Sequence, residues 1–182
     1  MSGPRPRDRT AHGHGEAFAT SDGRTLWLRP IRPGDADALR RGFARLTPEQ
    51  VRQRVFHRMN ALLPQVADQL CTVAPDKGAA FVALDADREI RGEGRLYLDR
   101  TGAAAEFALV VDPAFVGQGV GRALMQRLVD EGRRRGLREL WGSVLAQNAL
   151  MLDFATRFGA QREAVAGEPD VVRVRFDLRG PD

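Results

Sequence analysis

The sequence predicts one mixed α/β domain of the α+β class, built around a mostly antiparallel sheet. Three short apolar runs separated by turn signals at 85–88 and 99–102 predict an antiparallel meander. A glycine-rich turn follows this meander and leads into the longest amphipathic segment, 119–135, which is typical of a helix packed on a sheet. With 182 residues the chain is long enough to bury a core without disulfides.

The other elements follow from periodicity and from capping residues. Residues 25–31 alternate apolar and polar side chains in part, with Leu26 and Leu28 on one face, which indicates a first strand. Thr47 and Gln50 have capping-box spacing, so a helix is expected to begin there. Gly136 is expected to end the 119–135 helix. The predicted strands are 25–31, 79–84, 89–98, 103–111, 140–145 and 171–178, and the predicted helices are 34–46, 47–59, 64–73, 119–135 and 148–158.

Residues 1–24 are expected to form a flexible tail and residues 25–180 the folded domain. The tail is rich in Gly, Pro, Arg and Ser/Thr and has no apolar periodicity. His12 and His14 lie in it without a further histidine or a cysteine nearby, which is a weak ligand set for a metal. No metal site is therefore predicted.

Composition narrows the class of protein and its compartment. Hydrophobic residues are 43% and charged residues 29% of the chain, as in ordinary globular proteins. No apolar run is long enough to span a bilayer, and residues 1–20 lack the apolar core of a signal peptide. A lone cysteine, Cys71, fits a reducing compartment. We therefore expect a cytoplasmic protein with no membrane partner, present as a monomer or homodimer.

The net charge of +4 is modest, and acidic residues are interspersed among the arginines almost everywhere. No motif combining aromatic and basic residues appears, so the sequence argues against a nucleic-acid partner.

The turn at residues 116–122 is the most informative segment. Glycines at 117, 119 and 121 allow positive φ angles and close approach of a ligand, so that successive N–H groups converge on phosphate oxygens at a helix N-terminus. A dinucleotide fold would require a third glycine where Arg122 stands, and a P-loop would require Gly-Lys-Ser/Thr. The diphosphate of coenzyme A fits better, although a purely structural turn is the alternative.

The segment Val116-Gly-Gln-Gly-Val-Gly121 resembles the Gln/Arg-x-x-Gly-x-Gly/Ala motif of the GNAT superfamily of N-acetyltransferases. Val116 departs from it by replacing Gln or Arg. The resemblance extends from about Leu26 to Leu178. Within the superfamily the chain looks most like the GNAT domain of bacterial Pat-like protein lysine acetyltransferases. This resemblance implies the GNAT fold, which is a mixed, mostly antiparallel sheet of six or seven strands flanked by about four or five helices. Its splayed central strands hold the cofactor.

The same resemblance implies acetyl-CoA as cosubstrate and assigns its binding residues. A second block, 144–151, resembles the family's Asn-x-x-Ala/Met segment, with Asn148 and Met151 in the matching positions. The usual tyrosine proton donor is replaced by Ala155, and Tyr97, the only tyrosine, lies on a different predicted strand. Asn148 is alternatively just a helix N-cap. The implied cofactor-binding residues are Leu109, Val110, Val111, Val116, Gly117, Gln118, Gly119, Val120, Gly121, Arg122, Asn148 and Met151.

Glu106 is the first candidate for the general base, because it heads an apolar strand that leads to the glycine turn. The resemblance also implies an acidic base at this position. A carboxylate paired with an arginine is the alternative. Glu93 is the second candidate, although Arg95 beside it suggests a salt bridge. Asp112 is interpreted as a turn residue and Cys71 as a small core residue.

These residues predict transfer of an acetyl group from acetyl-CoA to a primary amine, with a protein lysine as the first hypothesis for the acceptor. A small-molecule amine is the second hypothesis. A non-catalytic acyl-CoA binding module is the third, and Val116 and Ala155 favour it.

Overall fold

The protein is described from a computed structural model, which covers residues 15–55 and 61–179, without the side chains of residues 54 and 55. A single eight-stranded sheet has the order β1-β2-β3-β4-β5-β6-β8-β7. Every neighbouring pair is antiparallel except β5 and β6, which are parallel. The strands are β1 Glu16–Ala19, β2 Thr25–Pro30, β3 Gly78–Leu84, β4 Ile90–Leu98, β5 Ala104–Val111, β6 Glu139–Leu145, β7 Gln161–Val165 and β8 Glu168–Asp177.

Five helices flank this sheet, and all five were predicted. They are α1 Ala36–Ala44, α2 Pro48–Val55, α3 Pro64–Cys71, α4 Val120–Arg134 and α5 Ala149–Arg157. Met59, placed by the sequence on the second helix, lies outside the described residues. In the part of the chain that the structure describes, no helix is long and apolar enough to cross a membrane.

Two strands were not predicted, so the expectation of six or seven strands is corrected to eight. β1 falls in the segment 1–24 that was expected to be a flexible tail, yet it pairs along its whole length with β2. Residues 1–14 of that segment lie outside the described residues. β7 pairs with β8 and exposes four of its five residues. Both are short strands at the sheet edges, where no buried face imposes an alternating apolar pattern.

The helices begin and end at the residues that local chemistry favours. The Thr47 N–H donates to Gln50 Oε1 at 3.0 Å, and the Gln50 N–H donates to Thr47 Oγ1 at 3.1 Å, which completes the predicted capping box of α2. Gly136 follows α4 with a φ of 73°, a left-handed conformation that glycine adopts without strain.

The core lies on both faces of the sheet. On one face, which we call the α4 face, buried side chains of α4 pack on β3, β4 and β5. A smaller buried cluster under α1 and α3 covers the opposite face, which we call the α1 face. At Gly92 on β4 a Cβ would lie 2.8 Å from both Leu124 and Val120 of α4. This glycine therefore lets α4 approach the sheet closely and holds its N-terminus at the end of β5.

Candidate active site

The sheet opens between its two parallel strands. β5 and β6 pair only over Ala104–Glu106 and Glu139–Trp141, although both strands continue beyond that point. The opening is part of a cleft of about 730 Å³ that is lined by β5, β6, the glycine turn and α5. A volume of this size lies within the range of small-molecule and cofactor sites. The predicted splayed strands are thus present, and they define the cleft.

The glycine turn forms one end of this cleft. Gly117 and Gly119 have φ angles of 76° and 89°, and a Cβ at either position would meet no atom within 4 Å. Gly119 is the N-cap of α4, so the first N–H groups of the helix have no intrahelical acceptor. These N–H groups and the helix dipole make the turn suitable for an anion such as a diphosphate.

Not every residue of the turn contributes to the cleft. Val116, Gly117, Gly119, Gly121 and Arg122 line it. The Gln118 N–H donates to the Phe115 carbonyl, and the Val120 side chain is fully buried in the core. Gln118 and Val120 are the two predicted cofactor contacts of the turn that do not line the cleft.

The backbone of β5 presents alternate residues to the opening. The Asp112 N–H donates to Arg91 O on β4, so the backbone groups of Val110 also point toward β4, whereas those of Leu109 and Val111 point toward β6. The Val111 carbonyl accepts a 2.8 Å hydrogen bond from Gln50 Nε2 of α2. Leu109 therefore offers both its N–H and its carbonyl to a ligand in the cleft.

Glu106 lies where the two strands separate, and it lines the cleft. Its side chain is half-buried, and it forms no hydrogen bond or ion pair with any residue of the ranges 15–55 and 61–179. The alternative interpretation, in which an arginine pairs with Glu106, is therefore not supported by the described residues. A carboxylate without a bound donor keeps its lone pairs available for a proton.

Glu93, the second candidate base, has a different environment. It is 6% exposed and forms an ion pair with Arg95, which is 1% exposed. Both lie on the α1 face, where Arg95 also reaches the carbonyl of Leu70 on α3 at 3.4 Å. Glu93 does not line the main cleft, so the structure supports the salt bridge rather than the general base.

At the far wall of the cleft, Asn148 Oδ1 accepts from the Met151 N–H at 3.1 Å, so Asn148 is the N-cap of α5. Both residues also line the cleft. Ala155, which replaces the family's tyrosine, is fully buried and offers no proton donor.

Asp112 and Cys71 also take the structural positions expected of them. Asp112 caps the 3₁₀ turn Pro113–Phe115 by accepting from the Ala114 N–H. Burial raises the pKa of the Cys71 thiol to about 11, so this residue is a poor nucleophile.

Some cleft residues were missed by sequence reasoning. Gln50 reaches the cleft from α2, and Arg157 and Phe158 reach it from the end of α5. Tyr97 lies on β4, directly across from Glu106, and lines the same cleft. The pairing register of β4 and β5 places this tyrosine beside Glu106. Within the described residues, no group of three or more His, Cys, Asp or Glu side chains is arranged to hold a metal.

A mixed sheet that opens between two parallel strands, with a glycine turn at a helix N-terminus beside the opening, defines an acetyltransferase of the GNAT class. Residues 39–160 match the model of the Acetyltransferase (GNAT) family, and the chain belongs to this family. The chain is 31% identical to the acetyltransferase PA5475 of Pseudomonas aeruginosa over 144 residues, which are 76% of each chain.

Two further relatives have more specific names. Streptothricin acetyltransferase of Streptomyces lavendulae is 29% identical over 160 residues, which cover 78% of this chain and 85% of that one. The crystal structure of the GNAT domain of S. lividans PAT superposes with a TM-score of 0.83 and 25% identity, covering 93% of this chain and 99% of that chain. The predicted family and fold are thus confirmed.

Proposed function

We propose that this acetyltransferase transfers the acetyl group of acetyl-CoA to a primary amine, a protein lysine side chain, by direct attack with Glu106 as general base. One observation carries the proposal. A half-buried carboxylate without a partner among the described residues lies in the same cleft as a glycine turn suited to a diphosphate.

The chain's residues fit coenzyme A along the length of the cleft. Gly117, Gly119 and the first N–H groups of α4 would hold the diphosphate, and the exposed side chain of Arg122 adds a positive charge beside it. The Leu109 backbone would pair with the pantetheine arm. Acetyl-CoA, when bound, supplies the acetyl group as a reactive thioester.

The amine must lose its proton before it attacks. At pH 7 only about one lysine side chain in 2,500 is neutral, which is a handicap of roughly 4.6 kcal/mol. Glu106 reduces this handicap by accepting one proton from the ammonium group, which leaves a neutral amine to attack. As the new N–C bond forms and the C–S bond breaks, the second proton passes from the nitrogen to the departing thiolate of coenzyme A. The Leu109 N–H, which points into the opening, is placed to donate to the carbonyl oxygen on which negative charge develops. No covalent enzyme intermediate is required.

The resemblance of the sequence motifs to Pat-like protein lysine acetyltransferases supports the protein acceptor, and the likeness to the GNAT domain of S. lividans PAT agrees with that resemblance. A small-molecule amine is the second candidate, and the similarity to streptothricin acetyltransferase favours it.

The test of the base is Glu106→Gln, which keeps the shape of the side chain and removes its basicity. We expect kcat to fall by roughly 10² to 10⁴-fold, while calorimetric affinity for acetyl-CoA is unchanged. Glu16→Gln, on the edge strand β1, is the control and should have full activity. Unchanged turnover in Glu106→Gln would reject Glu106 as the base. If the wild-type protein does not bind acetyl-CoA, the proposed cosubstrate is rejected.

The test of the acceptor is incubation with acetyl-labelled acetyl-CoA and a cell lysate. Label in protein bands that is absent with Glu106→Gln supports a protein acceptor. Label confined to the low-mass fraction supports the small-molecule alternative.

A further inference from the structure

Three side chains line up across the sheet where β5 and β6 separate. The strand register pairs Tyr97 of β4 with Glu106 of β5, and Glu106 with Trp141 of β6. Residues that are directly paired place their side chains on the same face of a sheet. Glu106 is therefore flanked by one aromatic residue on each side, and we call these three residues the aromatic row.

The row is on the α1 face of the sheet, at a place where that face is open. Tyr97 is 41% exposed, and Glu106 and Trp141 are half-buried. The residues that alternate with Glu106 and Trp141 along their strands point to the α4 face and are all buried. These buried neighbours are Ala105, Phe107, Leu140 and Gly142.

Glu106 is the acidic residue of the row. Glu106 has no ion pair with the described residues. Arg175, which is paired with Trp141 on β8, directs its guanidinium to Glu139 at 3.2 Å and Glu163 at 2.9 Å. Arg175 is therefore already engaged with two other carboxylates, and the Glu106 carboxylate can accept a cation from a ligand.

The Trp141 ring already receives a cation in this structure. The Arg173 guanidinium carbon lies 4.5 Å from the centroid of the Trp141 ring, within the range of a cation–π contact. The Nε atom of Arg173 is buried and has no hydrogen-bond partner among the described residues. An arginine held mainly by a ring, with part of its donor set unused, indicates that the ring face attracts positive charge.

A hydrogen bond from a buried arginine fixes the position of the Tyr97 ring. Its hydroxyl accepts a 2.8 Å hydrogen bond from Arg95 Nη1. Arg95 is fully buried and paired with Glu93, so the donor itself is fixed. A ring that is positioned before binding loses little conformational entropy when a ligand arrives.

We propose that Tyr97, Glu106 and Trp141 form the acceptor site, which binds the protonated ammonium group of a lysine side chain before Glu106 removes the proton. Neighbouring strands are about 4.8 Å apart, so an ammonium group on the Glu106 carboxylate would have one paired aromatic residue on each side of it. The two rings select a charged amine on a flexible alkyl chain over a neutral one. This site rests on the proposed function of Glu106, and it assigns substrate binding to two further residues.

The first experiment measures binding without turnover. The chain has two tryptophans, so Trp27→Phe leaves Trp141 as the sole tryptophan fluorophore. With coenzyme A present, N-α-acetyl-lysine methylamide should change the Trp141 emission saturably, and the neutral isostere N-α-acetyl-norleucine methylamide should not. An identical response to both probes, or no response to either, would overturn the site.

The second experiment measures steady-state kinetics with the lysine probe. Tyr97→Leu and Trp141→Leu should each raise its KM by about tenfold, as expected for a sheltered cation–π contact, with the KM for acetyl-CoA unchanged. Tyr97→Phe and Trp141→Phe keep a ring and should restore most of the affinity. Trp27→Leu, on β2, is the matched control and should have the wild-type KM.

The outcomes separate the two proposals. Wild-type turnover with an unchanged lysine KM in both leucine variants would overturn the aromatic site and leave Glu106 as the base. An inactive wild-type protein with every amine would overturn the proposed function itself. If a leucine variant fails to bind acetyl-CoA and is therefore misfolded, the fluorescence titration still decides the question.

Discussion

The side-chain amide of Gln50 donates a 2.8 Å hydrogen bond to the main-chain carbonyl of Val111, and this contact joins α2 to the rim of the cleft. The same side chain accepts from the Thr47 N–H at 3.0 Å in the capping box. Gln50 therefore uses its oxygen to start a helix and its nitrogen to fasten that helix to β5.

Gln50→Glu separates these two roles, because the carboxylate still accepts from Thr47 but cannot donate to Val111. We expect the free energy of unfolding to fall by about 1 to 2 kcal/mol, since two acceptors then face each other. Urea unfolding measures this change. Gln53→Glu places the same charge on α2, where Gln53 makes an exposed contact to Glu49, and should cost no more than about 0.5 kcal/mol. Equal losses in the two variants would mean that the Val111 contact is unimportant.

Gly119→Ala tests the glycine turn as a ligand cradle. A left-handed φ of 89° makes alanine unfavourable there by about 1 to 2 kcal/mol, and the displaced N–H groups should weaken acetyl-CoA binding on the order of tenfold. Gly136→Ala is the matched control, because its φ is 73° and its Cβ would also meet no atom within 4 Å. We expect a similar loss of stability in both variants but a loss of affinity, measured by calorimetry, only for Gly119→Ala.

The lowered pKa of Asp112 predicts how the free energy of unfolding depends on pH. Burial raises the pKa of the Asp112 carboxyl, but hydrogen bonds from the Ala114 N–H, Arg45 and Arg91 outweigh burial and hold that pKa below its usual value. Because the pKa is lower in the folded state, the carboxylate stabilises the fold above the ordinary aspartate pKa. This contribution is lost as pH falls through the folded-state pKa.

Asp112→Asn should therefore destabilise the protein at pH 7 by about 1 to 3 kcal/mol, and the difference from wild type should shrink in acid. Asparagine keeps an oxygen that can accept from the Ala114 N–H, so the turn itself is retained. Unfolding titrations between neutral and acidic pH measure the effect. A difference that stays constant across this range would contradict the electrostatic origin.

Cys71 should be inert in the native protein. With a thiol pKa of about 11, only about one molecule in a thousand carries a thiolate at pH 8, and the side chain is 2% exposed. An aromatic disulfide reagent should release no coloured thiolate within minutes, and one equivalent after denaturation. Rapid reaction of the folded protein would show that α3 opens easily or that the thiol is exposed.

The parts of the fold that were predicted correctly are those controlled by local chemistry. Thr47 and Gln50 bond each other across one helical turn, and Gly136 ends α4 by its own φ angle. Such signals need no knowledge of the rest of the chain. β1 and β7 were missed because edge strands depend on a neighbouring strand for their hydrogen bonds rather than on a pattern of buried side chains.

The candidate site was predicted in part for the same reason. The glycine turn is contiguous in sequence, and its geometry follows from residues 117–121. The pairing of Tyr97 with Glu106 joins two strands through a register that local patterns do not define. In a chain so rich in arginine, the absence of an ion pair between Glu106 and the residues that the structure describes also depends on where each of their arginines points, which only the folded structure shows.

The short pairing between β5 and β6 divides the sheet into two parts. One part contains β1 to β5 and the other contains β6, β8 and β7, and three residue pairs join them within the sheet. Glu106 and Trp141 form the last of the three pairs. The carboxylate and the ring therefore lie at the last point where backbone pairing joins the two parts, at the edge of the opening.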